Sequence, residues 1–305
     1  RRHVNLVIAV PSVRPERREA IRETWLKWRD DRVVLRFFTE SPNKADPNHE
    51  EISALLAEES LAHGDITIQD IGTGMNFGVK ILEAMRWMSH HYSFDFFLRL
   101  DDDYFLCLER LLTELSCLLE SGARHLPFYA GNLMCEQVPY VDEAYTLVSA
   151  VVIDRILAAS GLQCTGYGSL TTAAWIRIGG PGNPQGDVAW VNDDRLDFWG
   201  GFGGWWERWE QNSTIPACKL MMGIHRTYPD EMKKHWEEIS SKMNESQPIA
   251  DGCEDIYRYE DDGECPAWDE VDEELIRRRL EGDNLQPCDS FKPRTGNMWC
   301  GSEGC

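Results

Sequence analysis

Three consecutive aspartates, Asp101, Asp102 and Asp103, follow a mostly apolar run at residues 94–100. Carboxylates this close together repel one another, and a bound divalent cation compensates that repulsion. Hard cations such as Mg²⁺ and Mn²⁺ bind carboxylate and phosphate oxygens together. The triplet therefore indicates a metal site that also holds a diphosphate, such as that of a nucleotide-sugar, whose departure the cation assists as a Lewis acid. Taken alone, the triplet also fits an acidic turn or a helix cap.

Basic side chains elsewhere in the chain are candidates to offset the charge of a diphosphate. Arg22, Arg99 and Lys80 are assigned this role, because guanidinium and ammonium groups bind phosphate oxygens directly. By contrast, Arg17 and Arg18 are expected to cap or solvate a helix.

A segment rich in glycine and tryptophan, residues 199–206, is a second unusual feature. Indole rings present flat apolar surfaces on which the apolar faces of sugar rings stack. Trp199 and Trp205 are therefore predicted to form a platform for a sugar acceptor. The alternative is that the tryptophans pack in the core on a glycine-rich turn, a role that fits Trp206 and Trp209.

The first 120 residues alternate between short apolar runs and longer amphipathic segments. This pattern predicts strands at residues 4–10, 33–39, 65–71 and 94–100, and helices at residues 14–28, 49–63, 77–90 and 106–120. Such alternation is typical of a doubly wound α/β fold, with a mostly parallel central sheet flanked by helices. Ligands bind these sheets at the carboxyl ends of the strands, where the aspartate triplet lies.

The second half of the chain has a less regular pattern. It predicts strands at 129–133, 145–153 and 220–224, helices at 154–160 and 229–243, and, at 166–204, long functional loops with short strands and helices. We assign residues 1–243 to one catalytic domain. Residues 244–305 form an acidic, cysteine-rich C-terminal extension in this interpretation.

The charge of the chain excludes some classes of partner. Its 305 residues carry a formal net charge of −21, which disfavours binding to nucleic acid and to anionic membrane surfaces. Residues 250–305 contain 16 acidic and 6 basic side chains, a net of −10. We interpret them as a solvated acidic face rather than a dedicated site for cations or basic partners. No apolar run approaches the roughly 18–20 residues that span a bilayer, so we expect a trimmed ectodomain.

The cysteines predict disulfide bonds. The chain has ten cysteines, none in a CxxC pair, and five of them follow residue 250. An even number with a dense, loop-rich tail is typical of an oxidising compartment rather than a zinc site. N-glycosylation sequons at Asn212 and Asn244 agree with passage through the secretory pathway.

Several segments together resemble the beta-1,3-glycosyltransferases, the family of beta-1,3-galactosyltransferases and beta-1,3-N-acetylglucosaminyltransferases. In chain order, the matching segments are residues 17–25 (RREAIRETW), Gly64-Asp65-Ile66 with Asp70, Asn76 and Lys80, residues 97–103 (FLRLDDD), and Ile224-His225-Arg226 followed by Pro229-Asp230-Glu231-Met232 and Trp236. The resemblance covers about residues 4–240. Several motifs in the same order are far more specific than any one of them.

The resemblance implies a glycosyltransferase-A fold, a UDP-sugar donor and a glycan or glycoprotein acceptor. It implies Mn²⁺, with Mg²⁺ as the alternative, held by Asp101, Asp103 and His225. It places Asn76 and Lys80 against the donor, and Asp101 and Asp102 beside its diphosphate. Galactose is the favoured sugar, followed by N-acetylglucosamine, in a beta-1,3 linkage formed with inversion at the anomeric carbon.

Inversion requires a general base that takes the proton of the acceptor hydroxyl. The family carries this base in a Glu-Asp-Val motif, whose nearest match here is Asn192-Asp193-Asp194. Asp193 is therefore the predicted base, with Asp194 and Asp197 as rivals. Asn192 replaces the family's glutamate, and residues 148–152 (VSAVV) replace its glycine-rich strand. These departures make a catalytically weak, glycan-binding family member the main alternative.

A third hypothesis is another metal-dependent α/β enzyme, such as a phosphoryl-transfer enzyme, but the sequence has no GxxxxGK[ST] loop. We expect a Golgi or endoplasmic reticulum lumenal protein of type II membrane topology whose anchor is absent from this chain, or a secreted form. The oligomeric state is left open.

Overall fold

Strands and helices alternate along the first half of the chain, as predicted. The computed structural model describes residues 1–71, 74, 76–122, 125–136, 138–178, 188–193, 195–197, 217–243 and 285–292. The strands are β1 (Arg2–Pro11), β2 (Val33–Glu40), β3 (Ile66–Gln69), β4 (Tyr92–Leu100), β5 (Phe105–Leu106), β6 (Phe128–Glu136), β7 (Val138–Ser149), β8 (Gln163–Cys164), β9 (Ala189–Asn192), β10 (Leu196–Asp197), β11 (Gly223–Ile224) and β12 (Gln286–Pro287). The α-helices are α1 (Pro15–Glu23), α2 (His49–His63), α3 (Phe77–His91), α4 (Leu108–Glu120), α5 (Ala150–Ala158), α6 (Gly168–Ile178), α7 (Ala217–Leu220) and α8 (Pro229–Met243).

Seven strands form the central sheet in the order β3-β2-β1-β4-β7-β6-β9. β3, β2, β1 and β4 run parallel to one another, and β9 runs parallel to β6. Only β7 is antiparallel to its neighbours β4 and β6. The sheet is thus mostly parallel and flanked by helices, which confirms the predicted fold class.

Helices cover both faces of the sheet, which explains why the central strands are almost continuously apolar. Along β1, Leu6, Ile8 and Val10 pack in a cluster with α1, α2, α4 and α8, whereas Val7 and Ala9 pack in a cluster with α3, α5 and α6. This alternation follows the two-residue repeat of a strand. Two packed faces leave the carboxyl edge of the sheet as the place where polar side chains collect.

The structure corrects three predicted elements. The helix predicted at 14–28 ends at Glu23, and a 3-10 turn, Trp25–Trp28, follows it. The strand predicted at 145–153 ends at Ser149, where α5 begins. The strand predicted at 220–224 is only the two-residue β11, preceded by α7. Short apolar runs suit a buried strand and a buried helix equally, so the sequence pattern did not separate them.

Disulfide bonds join distant parts of the chain, as the cysteine count predicted. Cys107, just before α4, is bonded to Cys218 in α7. Cys164 in β8 is bonded to Cys288, beside the β12 strand that pairs with β8. The described part of the C-terminal extension is therefore tied to the predicted catalytic domain. Within the described residues, no helix is long and apolar enough to cross a membrane.

Candidate functional site

The aspartate triplet lies at the carboxyl edge of the central sheet. Its strand, β4, ends at the fully buried Leu100 between β1 and β7. The backbone amide of Asp101 donates to the carbonyl of Ala144 at 3.0 Å, which extends the contact with β7 by one residue. The three carboxylates therefore emerge where the fold rule places a ligand.

A second, three-stranded sheet, β10-β11-β5, brings His225 to the triplet. β11 pairs antiparallel with β5, with Ile224 opposite Phe105, so His225 follows in the position opposite Tyr104. The two rings stack with their centroids 5.9 Å apart. The amide of Thr227 donates to the carbonyl of Asp103 at 2.8 Å, which fixes the chain beyond the histidine.

Asp101, Asp103 and His225 form a group that fits a divalent cation. Nε2 of His225 lies 3.6 Å from Oδ2 of Asp101 and 3.4 Å from Oδ1 of Asp103. One ligand atom from each of the three residues lies within 4.8 Å of the other two. A cation with bonds of about 2.1 Å holds neighbouring ligand atoms about 3 Å apart, so small side-chain movements complete such a site. This is the predicted metal-ligand set.

Contacts within the group shift the pKa values of Asp103 and His225 in opposite directions. Burial raises the pKa of Asp103, but the hydrogen bond and charge of His225 and the charge of Arg17 outweigh it, and the pKa is lowered. Burial lowers the pKa of His225, but its hydrogen bond to Asp103 and the nearby carboxylates outweigh it, and the pKa is raised. A metal binds the neutral imidazole, so a bound cation would compete with the proton on His225.

Asp102 points to a different set of partners. Its Oδ2 accepts from the Ser12 hydroxyl at 2.7 Å, and its Oδ1 accepts from Nη1 of Arg17 at 2.7 Å. Arg17 also lies 3.4 Å from Asp103 and 5.1 Å from the centre of the Tyr228 ring. The expectation that Arg17 caps or solvates a helix was wrong, because α1 starts at the edge of the sheet where β4 ends.

Arg22 lies in a separate cluster of ion pairs. Its guanidinium donates to Asp65 at 2.8 and 2.9 Å and to Glu59 at 2.8 Å, and it lies over the ring of Phe37. Arg18, also expected to be solvated, is buried and paired with Glu59. These contacts join α1, α2 and the start of β3. The structure thus does not bring Arg22 together with the aspartate triplet, and its donor contact stays a prediction.

Lys80 and Asn76 lie at the start of α3, beside the carboxyl end of β2. The buried ammonium of Lys80 contacts Glu40, the last residue of β2, and lies 4.7 Å from the centre of the Phe77 ring. The carbonyl of the buried Asn76 accepts from the Lys80 amide at 3.0 Å in the first turn of the helix. Both residues are therefore at the ligand-binding edge of the sheet.

Arg99 is the cation nearest to Asp101 on its own strand. It is buried, and Nη1 lies 2.8 Å from Oδ1 of Asp101. Glu143 and Asp142 on the neighbouring β7 add negative charge. Burial, with the charges of Glu143 and Asp101, raises the pKa of Asp142 to about 7. Glu143 accepts from the first amides of α6, so part of this acidic charge is held by a helix N-terminus.

Asp193 follows β9 and is buried, with 8% of its surface exposed. Its carboxylate accepts from the guanidinium of Arg195, with Nε 2.7 Å from Oδ1 and Nη2 2.8 Å from Oδ2. Asn192 accepts from the Leu133 amide at 3.0 Å. β10 begins three residues after Asp193, so the predicted base and His225 are attached to the same small sheet.

Other predicted site residues lie outside the described residues. These are Asp194, Trp199 and Trp205. Asp197 is the last residue of β10, and its side chain is not among those described.

Residues 16–169, half of the chain, match the galactosyltransferase family. The chain belongs to this family. Among curated relatives, the chain is 30% identical to N-acetyllactosaminide beta-1,3-N-acetylglucosaminyltransferase 2 of Mus musculus over 144 residues, 45% of this chain and 36% of that protein. It is 39% identical to UDP-GalNAc:beta-1,3-N-acetylgalactosaminyltransferase 2 of Mus musculus over 158 residues, 45% of this chain and 31% of that protein. The chain spans about a third of the length of these relatives.

Among solved structures, the chain is similar to a mannosyltransferase from Pyrobaculum calidifontis in complex with GDP-Man and Mn²⁺. That similarity has a TM-score of 0.36 and 11% identity, over 80% of this chain and 77% of the other. The mostly parallel sheet of this galactosyltransferase-family chain agrees with the architecture expected from the sequence.

The family match includes the aspartate triplet but ends before Asp193 and His225. The roles of these two residues therefore depend on the geometry of this chain. Sequence reasoning missed Ser12 and Tyr104 altogether. Their positions in the sequence could have indicated both residues, because Ser12 directly follows β1 and Tyr104 directly follows the triplet.

Proposed function

We propose that the chain is a metal-dependent, inverting glycosyltransferase that moves a sugar from a UDP-sugar to a hydroxyl of a glycan or glycoprotein, forming a beta-1,3 linkage. The observation that carries this proposal is the convergence of Asp101, Asp103 and His225 at the carboxyl edge of the sheet. Family membership supports the reaction class. Galactose remains the favoured sugar, followed by N-acetylglucosamine, which the name of one relative supports, and the name of the other adds N-acetylgalactosamine as a candidate.

The proposal gives each group a role. Asp101, Asp103 and His225 would hold Mn²⁺, or alternatively Mg²⁺, which supplies Lewis-acid stabilisation to the diphosphate. Lys80 and Asn76 would contact the donor from the neighbouring strand end. Arg99 would balance the charge of Asp101 from its own strand.

Transfer itself requires a proton acceptor and a bound acceptor sugar. Asp193 would take the proton of the acceptor hydroxyl as its oxygen attacks the anomeric carbon. Trp199 and Trp205 would form the surface on which the acceptor sugar stacks.

A donor-hydrolysis screen tests this proposal. Purified protein is mixed with a panel of UDP-sugars, and UDP release is measured with Mn²⁺, with Mg²⁺ and with a chelator. We expect release from one donor that depends on the metal. Asp103→Asn is the matched control, because it keeps the size of the side chain and replaces a carboxylate ligand with a neutral amide oxygen that binds the cation less well. Metal-independent release, or no metal-dependent binding of UDP, would contradict the proposal.

A second candidate function is glycan binding with little or no turnover. Two observations favour it: Asn192 replaces the family's glutamate, and both carboxylate oxygens of Asp193 are engaged by Arg195. Binding of immobilised glycans without UDP release from any donor, in the presence of the matching acceptor, would favour this alternative.

We also propose a lumenal location, in the Golgi or the endoplasmic reticulum. Disulfide bonds persist in oxidising compartments, and Cys107–Cys218 and Cys164–Cys288 support such an environment. Sensitivity of the cellular protein to an N-glycosidase would test it, and a protein without glycans that is found with cytosolic markers would contradict it.

A further inference from the structure

A row of buried, alternating charges runs from the predicted base into α4. It consists of Asp193, Arg195, Glu114 and Arg110. The outermost link is the contact of Asp193 with Arg195, in which Oδ1 accepts from Nε at 2.7 Å and from the Arg195 amide at 3.1 Å, and Oδ2 accepts from Nη2 at 2.8 Å. A carboxylate oxygen has two lone pairs. Both lone pairs of Oδ1 are therefore engaged, whereas Oδ2 accepts from one donor among the described residues and has a second lone pair for another.

Arg195 is held from its other side by Glu114. Nη1 of Arg195 lies 2.7 Å from Oε1 of Glu114, and Nη2 lies 3.0 Å from Oε2. Glu114 is buried, with 4% of its side-chain surface exposed, and Arg195 is partly buried, with 14% exposed. A planar guanidinium that forms forked hydrogen bonds to two carboxylates cannot rotate without breaking both pairs. Glu114 thus fixes the plane in which Arg195 meets Asp193.

Glu114 is in turn anchored within α4. Arg110 lies one helical turn earlier and donates to Oε1 of Glu114 at 3.0 Å, and it also donates to the carbonyl of Cys218 at 3.4 Å. Cys107, Arg110 and Glu114 are spaced by three and four residues, which places them on one side of the helix. Arg110, the last residue of the row, therefore lies beside the disulfide bond between Cys107 and Cys218.

We propose that Arg195 and Glu114 are positioning residues that hold the carboxylate of Asp193 in place and aim the remaining lone pair of its Oδ2 at the acceptor hydroxyl. This inference rests on the proposed function. In the transfer step, the hydroxyl oxygen bonds to the anomeric carbon, the bond from that carbon to the diphosphate breaks, and UDP leaves with the electron pair. The hydroxyl proton moves to Oδ2 of Asp193.

The second carboxylate explains how the site tolerates that proton. When Asp193 becomes neutral, Arg195 loses the charge of one partner, and an unpaired buried cation is costly. Glu114 contacts Arg195 from the other side, so the cation keeps a partner before and after the step. A lone Asp–Arg pair would lack this compensation.

Variants of the two residues test the proposal through shifts of opposite sign. Arg195→Met removes the cation from a buried carboxylate, so the acid limb of the kcat profile is expected to rise by about one pH unit or more. Its kcat is expected to fall about 100-fold, as for a misplaced catalytic group, while Mn²⁺-dependent binding of UDP changes less than about threefold. Glu114→Gln removes a negative charge next to Arg195, so the positive charge of Arg195 acts more strongly on Asp193. The acid limb is therefore expected to move down, with a smaller loss of kcat.

Three further variants make the result interpretable. Arg195→Lys keeps the charge without the fork, and it is expected to preserve the acid limb while lowering kcat. Asp95→Asn is the matched control, because Asp95 is a buried carboxylate with 4% of its surface exposed at the amino end of β4, away from the site. Asp193→Asn is the reference for loss of the base.

The outcomes separate the two levels of the proposal. If Arg195→Met lowers the melting temperature but leaves kcat and the acid limb as in the wild type, the residue is only a structural brace and the inference is wrong. If Asp193→Asn keeps wild-type turnover, the base itself is misassigned. The carboxyl of Asp193 can also be titrated by ¹³C NMR in aspartate-labelled protein, which needs no turnover. An unchanged pKa in Arg195→Met would overturn the inference even if the wild type releases no UDP.

Discussion

Replacing Gly223 with alanine tests whether the pairing of β11 with β5 positions His225. A Cβ added to Gly223 would lie 2.2 Å from Cε1 of Tyr104 and 2.8 Å from the carbonyl oxygen of Phe105. Carbon atoms in ordinary contact are about 3.5–4.0 Å apart, so either the strand or the ring must move by about 1.3 Å. Both movements reach His225, because it follows β11 and stacks on Tyr104.

The expected effect is larger on the metal site than on stability. Overpacking of this kind costs about 1–3 kcal/mol of unfolding free energy. Metal–ligand distances tolerate only about 0.2 Å, and disturbing the support of a ligand lowers metal affinity about 10- to 100-fold. We therefore expect Gly223→Ala to weaken Mn²⁺-dependent UDP binding by about that factor.

Isothermal titration of UDP with Mn²⁺ and with chelator measures the effect, and thermal unfolding measures the loss of stability. Gly64→Ala is the matched control, since Gly64 has a φ of +64° at the end of α2 and an added Cβ meets nothing within 4 Å. That substitution costs about 1 kcal/mol through backbone strain and leaves the metal site intact. If Gly223→Ala binds UDP with Mn²⁺ as tightly as Gly64→Ala does, the pairing does not position His225.

Three other predictions follow from the described contacts. Asp103→Asn and His225→Gln should each weaken Mn²⁺-dependent UDP binding at least about tenfold, because each replaces one of three ligands with a neutral amide oxygen that binds the cation less well, whereas binding in chelator should not change. Burial raises the pKa of Glu59, but two guanidinium groups outweigh it and the pKa is lowered. Its stabilisation is thus present above the unfolded pKa and lost as the pH falls through the folded one, so Glu59→Gln should cost about 3 kcal/mol at pH 7 and far less near pH 3 in urea titrations. Replacing Cys107 and Cys218 together with serine should lower the unfolding free energy by about 2–4 kcal/mol without reductant, because the bond closes a long loop; equal stability with and without the bond would contradict this.

Local patterns predicted much of the fold. The bounds of α2 and α8 agree with the predicted 49–63 and 229–243, because α2 ends before the left-handed Gly64 and α8 begins at Pro229, which are recognisable helix signals. The position of Asp101–Asp103 after a buried strand was equally clear. In contrast, the pattern failed at Ala150, where an apolar run changes from strand to helix without a break.

The charged residues show the same difference between local features, which the sequence indicates, and long-range contacts, which it does not. The sequence alone indicated the triplet, the late histidine and the expected chemistry, because each is a property of neighbouring residues and of motif order. It did not indicate that Arg17 would join Asp102, or that Arg195 would join Glu114, since these partners are 85 and 81 residues apart.

The order of the strands and the pairing of β10, β11 and β5 determine which charged residues meet. Both depend on the packing of the whole core. A charged side chain has a strong need for a partner when it is buried, but nothing in its local sequence specifies which partner it finds. Short motifs in the sequence therefore indicated the proposed chemistry, and only the tertiary structure determined which of the charged side chains lie in contact.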